Sequence, residues 1–269
     1  MSGPDDKQDE LAGTEQPFVA HLVELRTRLV RASLAIAVVF GVLMVYPGPS
    51  TLYDLLAAPL VAQLPAGTTL IATNVISPFL VPLKITLMAA FMVALPVVLY
   101  QVWAFVAPGL YSHEKRLVMP LVISSTLLFF TGVAFCYFFV FGQVFKFIQG
   151  FAPKSITAAP DIEQYLSFVL SMFIAFGAAF EVPIVVILLA RMGIVSLEKL
   201  RAFRGYFVVV AFIIAAVVTP PDVVSQLALA IPMVILYEIG LWAAKLFMKH
   251  TRSPEAEKEA EKQTERTSS

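Results

Sequence analysis

Residues 117–144 read LVMPLVISSTLLFFTGVAFCYFFVFGQV and contain no charged side chain. This run is longer than the ~20 apolar residues that an α-helix needs to cross a lipid bilayer. The stretch before it, residues 75–106, has Lys84 as its one charged residue, and the whole chain is 59% hydrophobic. Because soluble domains are only about 45–50% apolar, this composition predicts an integral membrane protein.

Other apolar stretches of the chain predict further spans, two of them shorter than ~20 residues. We predict an all-α integral membrane protein with six spans, at residues 29–46, 75–106, 117–144, 165–190, 206–218 and 223–244. The last two spans are predicted to be short, because Pro220 and Pro221 force a turn between them and residues 206–218 cover only ~20 Å as a helix. Residues 1–17 are predicted as a polar tail, residues 18–247 as the membrane domain, and residues 248–269 as a disordered charged tail.

Basic residues are concentrated in the loops on one side of these spans. They are Arg26, Arg28 and Arg31 before the first span, Lys115 and Arg116 after the second, Arg191, Lys199, Arg201 and Arg204 after the fourth, and Lys245, Lys249 and Arg252 after the last. Cytoplasmic loops of membrane proteins carry an excess of Lys and Arg. Both termini of this multi-pass chain are therefore predicted to lie in the cytoplasm.

The loop between the second and third spans contains a short polar sequence, YSHEKR at residues 111–116. Glu114 is its only acidic residue, and the predicted orientation puts it on the cytoplasmic side. A lone carboxylate on a short loop is a candidate contact for a positively charged group. The alternative is an exposed carboxylate that pairs with Lys115 or Arg116.

Three polar side chains lie within or beside the later spans. Glu181 precedes Arg191 by about 15 Å of helix, which places it near the bilayer centre. A charged side chain at that depth costs ~2.5–3.5 kcal/mol on insertion scales, so Glu181 is a candidate contact for a substrate or partner helix, a proton relay, or a buried structural hydrogen bond. Thr219 and Gln226 flank the Pro-Pro-Asp turn and form either a polar patch for another transmembrane helix or a solvated interface.

Several chemistries are not favoured by the sequence. The histidines lie outside the spans, no aspartate lies deep in the membrane, and no phosphate-binding loop is present, so an enzyme is not expected. His21 with Glu24, and His113 with Glu114, offer too few ligands for a metal site, and no cofactor is predicted. Scattered basic residues argue against nucleic-acid binding. A transporter, a channel or a receptor for polypeptides remains, with a proton-coupled solute transporter that uses Glu181 as its relay as one candidate.

Five short motifs resemble those of one known family. They are HLVELR at 21–26, APL at 58–60, YQVWAFVAPGLY at 100–111 followed by His113 and Glu114, FEVP at 180–183, and TPPD at 219–222. Together they resemble TatC, the polytopic subunit of the twin-arginine protein translocase, over roughly residues 17–247.

The resemblance implies a glove-like helical bundle in the bacterial cytoplasmic (inner) membrane. It implies a receptor that binds twin-arginine signal peptides and exports folded proteins with the proton-motive force. By this resemblance Glu114 contacts the arginine pair, with Phe105, Glu24 and Arg26 on the same surface. Glu181 corresponds to an acid in the concave face of the bundle. Thr219 and Gln226 fall where single-span subunits of the TatA and TatB type dock, in a complex that also contains further copies of the chain.

Overall fold

The structure, a computed structural model, describes residues 6–61, 70–106, 118–151, 161–219 and 222–251. Nearly all of these residues are helical. The helices are α1 (Asp6–Val45), α2 (Pro49–Val61), α3 (Ser77–Val106), α4 (Val118–Phe135), α5 (Phe141–Phe151), α6 (Ile162–Ala179), α7 (Val182–Arg191), α8 (Leu197–Ala202), α9 (Arg204–Val218) and α10 (Val223–Thr251). A π-helical turn, Cys136–Val140, joins α4 to α5. The all-α prediction is thus confirmed.

Five helical segments in the described ranges are long and apolar enough to cross a membrane: His21–Val45, Ser77–Val106, Val118–Phe147, Ile162–Arg191 and Val223–Leu246. Helix α9 is a shorter apolar helix of 15 residues, as predicted for the fifth span. The prediction that the last span is also short is wrong, because its apolar part alone has 24 residues. Helix α10 begins at Val223 and continues past Lys245. A basic residue such as Lys245 ends the apolar run but does not end the helix.

The chain divides into two compact units. The first unit contains residues 1–126 and 158–166, and in it α1 and α2 both pack against α3. Val81, Ile85, Leu95 and Leu99 form one buried face of α3. Bulky apolar residues elsewhere on α3, such as Phe79, are exposed. In a membrane span such residues face lipid, which needs no burial inside the protein.

The second unit contains residues 127–157 and 167–269. Its core includes Val186, Leu200, Tyr237 and Leu241, where α10 packs against α7, α8 and α9. The Tyr237 ring stacks on Phe207 with centroids 4.1 Å apart, and its hydroxyl donates to the Leu200 carbonyl at 2.7 Å. The phenol therefore buries an apolar ring while its polar end is satisfied, as buried tyrosines require.

Glycines allow close helix contacts in the second unit. A Cβ at Gly132 of α4 would lie 2.4 Å from the Phe176 carbonyl oxygen, and one at Gly177 of α6 would lie 2.4 Å from Phe129 Cζ. Small residues are the usual means of close approach between transmembrane helices. These two glycines therefore set the distance between α4 and α6.

Candidate functional site

Three predicted site residues lie at one end of the α1–α3 pair in the first unit. The His21 ring stacks on the Phe105 ring with centroids 4.4 Å apart and planes 22° from parallel. Phe105 lies in the last turn of α3, so this contact joins it to the start of the first span. Glu24 is one helical turn further along α1. Arg26 is exposed, but two residues from Glu24 it projects from a different side of α1.

Glu24 is fixed by a neighbouring arginine. Its Oε1 accepts hydrogen bonds from Arg28 Nε at 2.9 Å and Arg28 Nη2 at 2.6 Å. The pair is an i, i+4 ion pair on one helix face, with both side chains partly buried. The carboxylate is thus held in one orientation, at the same end of the unit as Phe105 and His21.

The sequence did not reveal the roles of His21 and Arg28 here. The sequence offers His21 as a weak candidate metal ligand and as part of the HLVELR motif, and in the structure its ring is an aromatic neighbour of Phe105. The signal that was available is the HLVELR motif, in which His21 and Glu24 occur one turn apart. Among the described residues, no three His, Cys, Asp or Glu side chains are grouped so as to hold a metal ion.

Glu114 lies outside the described residues, within the segment 107–117 that connects α3 to α4. Its role stays a prediction. The segment that carries Glu114 begins directly after α3, which has Phe105 in its final turn.

Glu181 lies at a break between two helices in the second unit. Helix α6 ends at Ala179 and α7 begins at Val182, and the Glu181 amide donates to the Ala178 carbonyl at 3.1 Å, a tighter pattern than in an α-helix. Pro183 follows in the first turn of α7 and has no amide hydrogen to continue the ladder. The sequence predicted one uninterrupted span here, and the break puts a half-buried carboxylate beside irregular backbone.

Thr219 and Gln226 lie on either side of the turn between α9 and α10. Thr219 caps the end of α9 and is buried, with its hydroxyl donating to the Ala215 carbonyl at 2.8 Å. Gln226 Nε2 donates to the Phe212 carbonyl at 3.3 Å. Both predicted residues thus hydrogen-bond to backbone carbonyls of α9, at the ends of the two helices.

Two further polar residues lie at the start of α10: Asp222, which belongs to the TPPD motif, and Ser225, which no sequence motif singled out. Asp222 Oδ1 accepts from the Ser225 amide at 2.7 Å and so caps the start of α10. Asp222 Oδ2 and Ser225 Oγ are buried and find no hydrogen-bond partner among the described residues. Buried polar atoms are normally paired, so these two atoms stand out as unsatisfied within the described residues.

A separate polar cluster lies at the start of α3 and α6, in the first unit. Lys84 Nζ lies 2.6 Å from Glu163 Oε1, and the Ser77 hydroxyl donates to Glu163 Oε2 at 2.7 Å. Asp161 Oδ2 accepts from the Thr73 hydroxyl and, at 3.0 Å, from the Thr73 amide. These hydrogen bonds lower the pKa of the Asp161 carboxyl to about 2, and the bond from the Thr73 hydroxyl has the largest effect. No sequence pattern predicts these contacts, because they join residues 79 or more positions apart.

The long apolar helices define a class: a multi-pass helical membrane protein, with acidic and polar groups at helix ends and at one helix break. Within that class, residues 20–232 match the family described as Sec-independent protein translocase protein (TatC). The chain belongs to the TatC family, and it is a protein translocase component of the Sec-independent type.

Known relatives agree with this assignment. The chain is 51% identical over 244 residues to the TatC protein of Halothiobacillus neapolitanus, an alignment that covers 91% of this chain and 66% of that protein. It is 49% identical over 240 residues to TatC of Escherichia coli strain K12, an alignment that covers 89% of this chain and 92% of that protein. A crystal structure of the twin arginine translocase receptor TatC matches with a TM-score of 0.73 and 41% identity, covering 84% of this chain and 98% of that one.

Proposed function

We propose that this chain is the receptor and core subunit of a twin-arginine translocase. It binds twin-arginine signal peptides at its cytoplasmic face and assembles with TatA-type and TatB-type single-span subunits and with further copies of itself. The complex exports folded proteins across the bacterial cytoplasmic membrane with the proton-motive force, and both termini stay in the cytoplasm. The observation that carries the proposal is the stacking of His21 on Phe105, which joins two motifs of the family at one end of one unit.

The chemistry of this end suits an arginine pair. A guanidinium group binds a carboxylate through two parallel hydrogen bonds and also lies well against an aromatic ring. In the proposal Glu114 accepts the arginines, Phe105 supplies the ring, and Glu24 and Arg26 complete the surface. Lysine lacks the planar fork of donors, so an Arg-Arg pair is preferred to Lys-Lys.

Glu181 acts after docking in this proposal. The break at Glu181 gives the carboxylate a position that a continuous helix would not, in a span whose other charged residues, Glu163 and Arg191, lie at its ends. Intramembrane carboxyl groups usually face protein or a water-filled cavity. We assign Glu181 a polar contact with an inserted signal peptide or partner helix at the concave face.

The polar region at the α9–α10 turn is the proposed docking site for single-span subunits. Thr219 and Gln226 lie there beside Asp222 Oδ2 and Ser225 Oγ, the two buried atoms with no partner in the described part of the chain. In the proposal a polar side chain of the partner helix hydrogen-bonds to this region, the usual role of polar residues between transmembrane helices.

The experiment is a direct binding measurement with two peptides. Purified full-length protein is titrated with a signal peptide that carries Arg-Arg and with the same peptide carrying Lys-Lys. The proposal requires much tighter binding of the Arg-Arg peptide. Equal affinity would refute it and would suit the alternative, a proton-coupled solute transporter with Glu181 as relay, to which the family gives no support.

A further inference from the structure

A groove with a basic rim lies at one end of α9 and α10, in the second unit. Its volume is about 650 Å³, and its polar lining includes Arg201, Arg204 and Lys245. Helix α9 begins at Arg204, and α10 packs antiparallel to it, because Arg204 pairs with Glu238 while Gln226 Nε2 donates to the Phe212 carbonyl. The start of α9 and the basic end of α10 therefore meet at the same membrane surface.

The rest of the groove is apolar and exposed. Its walls include Ile239, Trp242 and Leu246, and Trp242 is 80% exposed. Tryptophan is enriched where membrane spans meet the headgroup region. The groove thus combines cationic groups with an aromatic side chain that suits the lipid interface.

A second, smaller groove continues along α10 from the first. Its volume is about 410 Å³, it is lined by Val234, Ile235 and Glu238, and it shares Ile239 and Trp242 with the basic groove. The side chains of Ile235, Ile239 and Trp242 recur one turn apart on α10. They form an apolar path that leads from the basic rim toward the middle of the span.

The charges of the two grooves do not cancel. Arg204 Nη2 lies 2.8 Å from Glu238 Oε2, and both side chains are about half exposed. This contact engages one edge of a guanidinium that has five N–H donors. Arg201 and Lys245 add two positive charges, so the rim keeps a net positive charge after the ion pair is counted.

We propose that this groove binds an anionic phospholipid. Its phosphate lies between Arg201, Arg204 and Lys245, and one acyl chain lies along Trp242, Ile239 and Ile235. Basic pockets between transmembrane helices are suited to anionic headgroups. An apolar transmembrane helix of another protein would fill the apolar path but would leave Arg201 and Lys245 with no anionic partner, so the charge favours a lipid.

The test is lipid binding to the purified full-length protein in a neutral detergent, followed by native mass spectrometry. The probes are phosphatidylglycerol, phosphatidylcholine and soluble glycerol phosphate. The variant is Arg201→Gln with Lys245→Gln. The control is Lys146→Gln with Lys199→Gln, which removes two exposed basic side chains that do not line the groove.

We expect the unchanged protein to bind phosphatidylglycerol about tenfold more tightly than phosphatidylcholine, and the groove variant to lose this preference. The control should keep it. Equal binding of the two lipids by the unchanged protein would overturn the proposal, as would full preference in the groove variant. Binding of glycerol phosphate as tightly as the lipid would show a site for free phosphate esters and would also overturn it.

A second measurement does not depend on the folding of the charge variant. A photoreactive residue in place of Trp242 is activated in native membranes. A phospholipid adduct is expected. An adduct formed only with a single-span protein would mean that a partner helix occupies the groove and would contradict the proposal.

Discussion

The His21 ring lies parallel to the Phe105 ring, with centroids 4.4 Å apart. Phe105 is thereby supported from α1, the helix that also carries Glu24 and Arg26. A planar contact of this kind contributes about 0.5–1.5 kcal/mol beyond its buried area. It also fixes the direction in which the Phe105 ring faces its proposed ligand.

Replacing His21 by alanine should therefore weaken signal-peptide binding about three- to tenfold, because Phe105 loses its support. His21→Phe should restore most of the affinity, since a phenyl ring stacks as well. Peptide titration of the purified variants measures this. If His21→Phe binds as poorly as His21→Ala, the histidine acts by some other means than stacking.

Glu181→Gln should leave signal-peptide docking intact and impair export, because Glu181 lies at the α6–α7 break and is remote in sequence from the docking end. Crosslinking of the signal peptide reports docking, and transport of a folded precursor into membrane vesicles reports export. Loss of docking in Glu181→Gln would contradict this division between the two acids.

Gly132→Ala and Gly177→Ala should each destabilise the protein by about 1–3 kcal/mol, the usual cost of overpacking. Each added Cβ would lie 2.4 Å from an atom of the facing helix. Gly41→Ala is the matched control, because a Cβ there has nothing within 4 Å. Thermal unfolding in detergent compares the three, and an unchanged midpoint in both test variants would refute the close packing of α4 and α6.

Asp161 should make stability depend on pH under acidic conditions. Its folded-state pKa of about 2 lies below the unfolded value of ~3.9. The unfolded chain therefore binds the proton first, and the stability that Asp161 contributes is present above about pH 4 and is lost as the pH falls to about 2. Asp161→Asn should remove this part of the pH dependence, and Asp54→Asn should retain it. Identical pH profiles for Asp161→Asn and the unchanged protein would contradict the assignment.

The helical membrane fold could be predicted from the sequence because a bilayer requires long apolar helices, and the chain has long apolar runs separated by loops with basic residues. The short α9 followed from the two prolines after Thr219. The length of α10 could not be predicted in this way, because the run of apolar residues ends at Lys245 while the helix continues to Thr251. The break at Glu181 had a local signal in Pro183, but its position depends on backbone hydrogen bonds that composition does not specify.

The candidate site was predictable only in part. Glu24, Phe105, Glu181, Thr219 and Gln226 could be identified from motifs or from polar residues in apolar surroundings. The contacts of His21 with Phe105 and of Lys84 with Glu163 join residues far apart in the chain. No local pattern encodes them, since they arise from the packing of α1 and α6 near α3 in the first unit.

The most direct test of the central claim concerns Glu114. Glu114→Gln keeps the size of the side chain and removes the charge, and Glu198→Gln provides a control at an exposed acid on α8. Site-specific crosslinking of an Arg-Arg signal peptide is measured in membranes that contain each variant at equal amounts. We predict that Glu114→Gln abolishes the crosslink and that Glu198→Gln preserves it; a normal crosslink and normal export in Glu114→Gln would contradict the account.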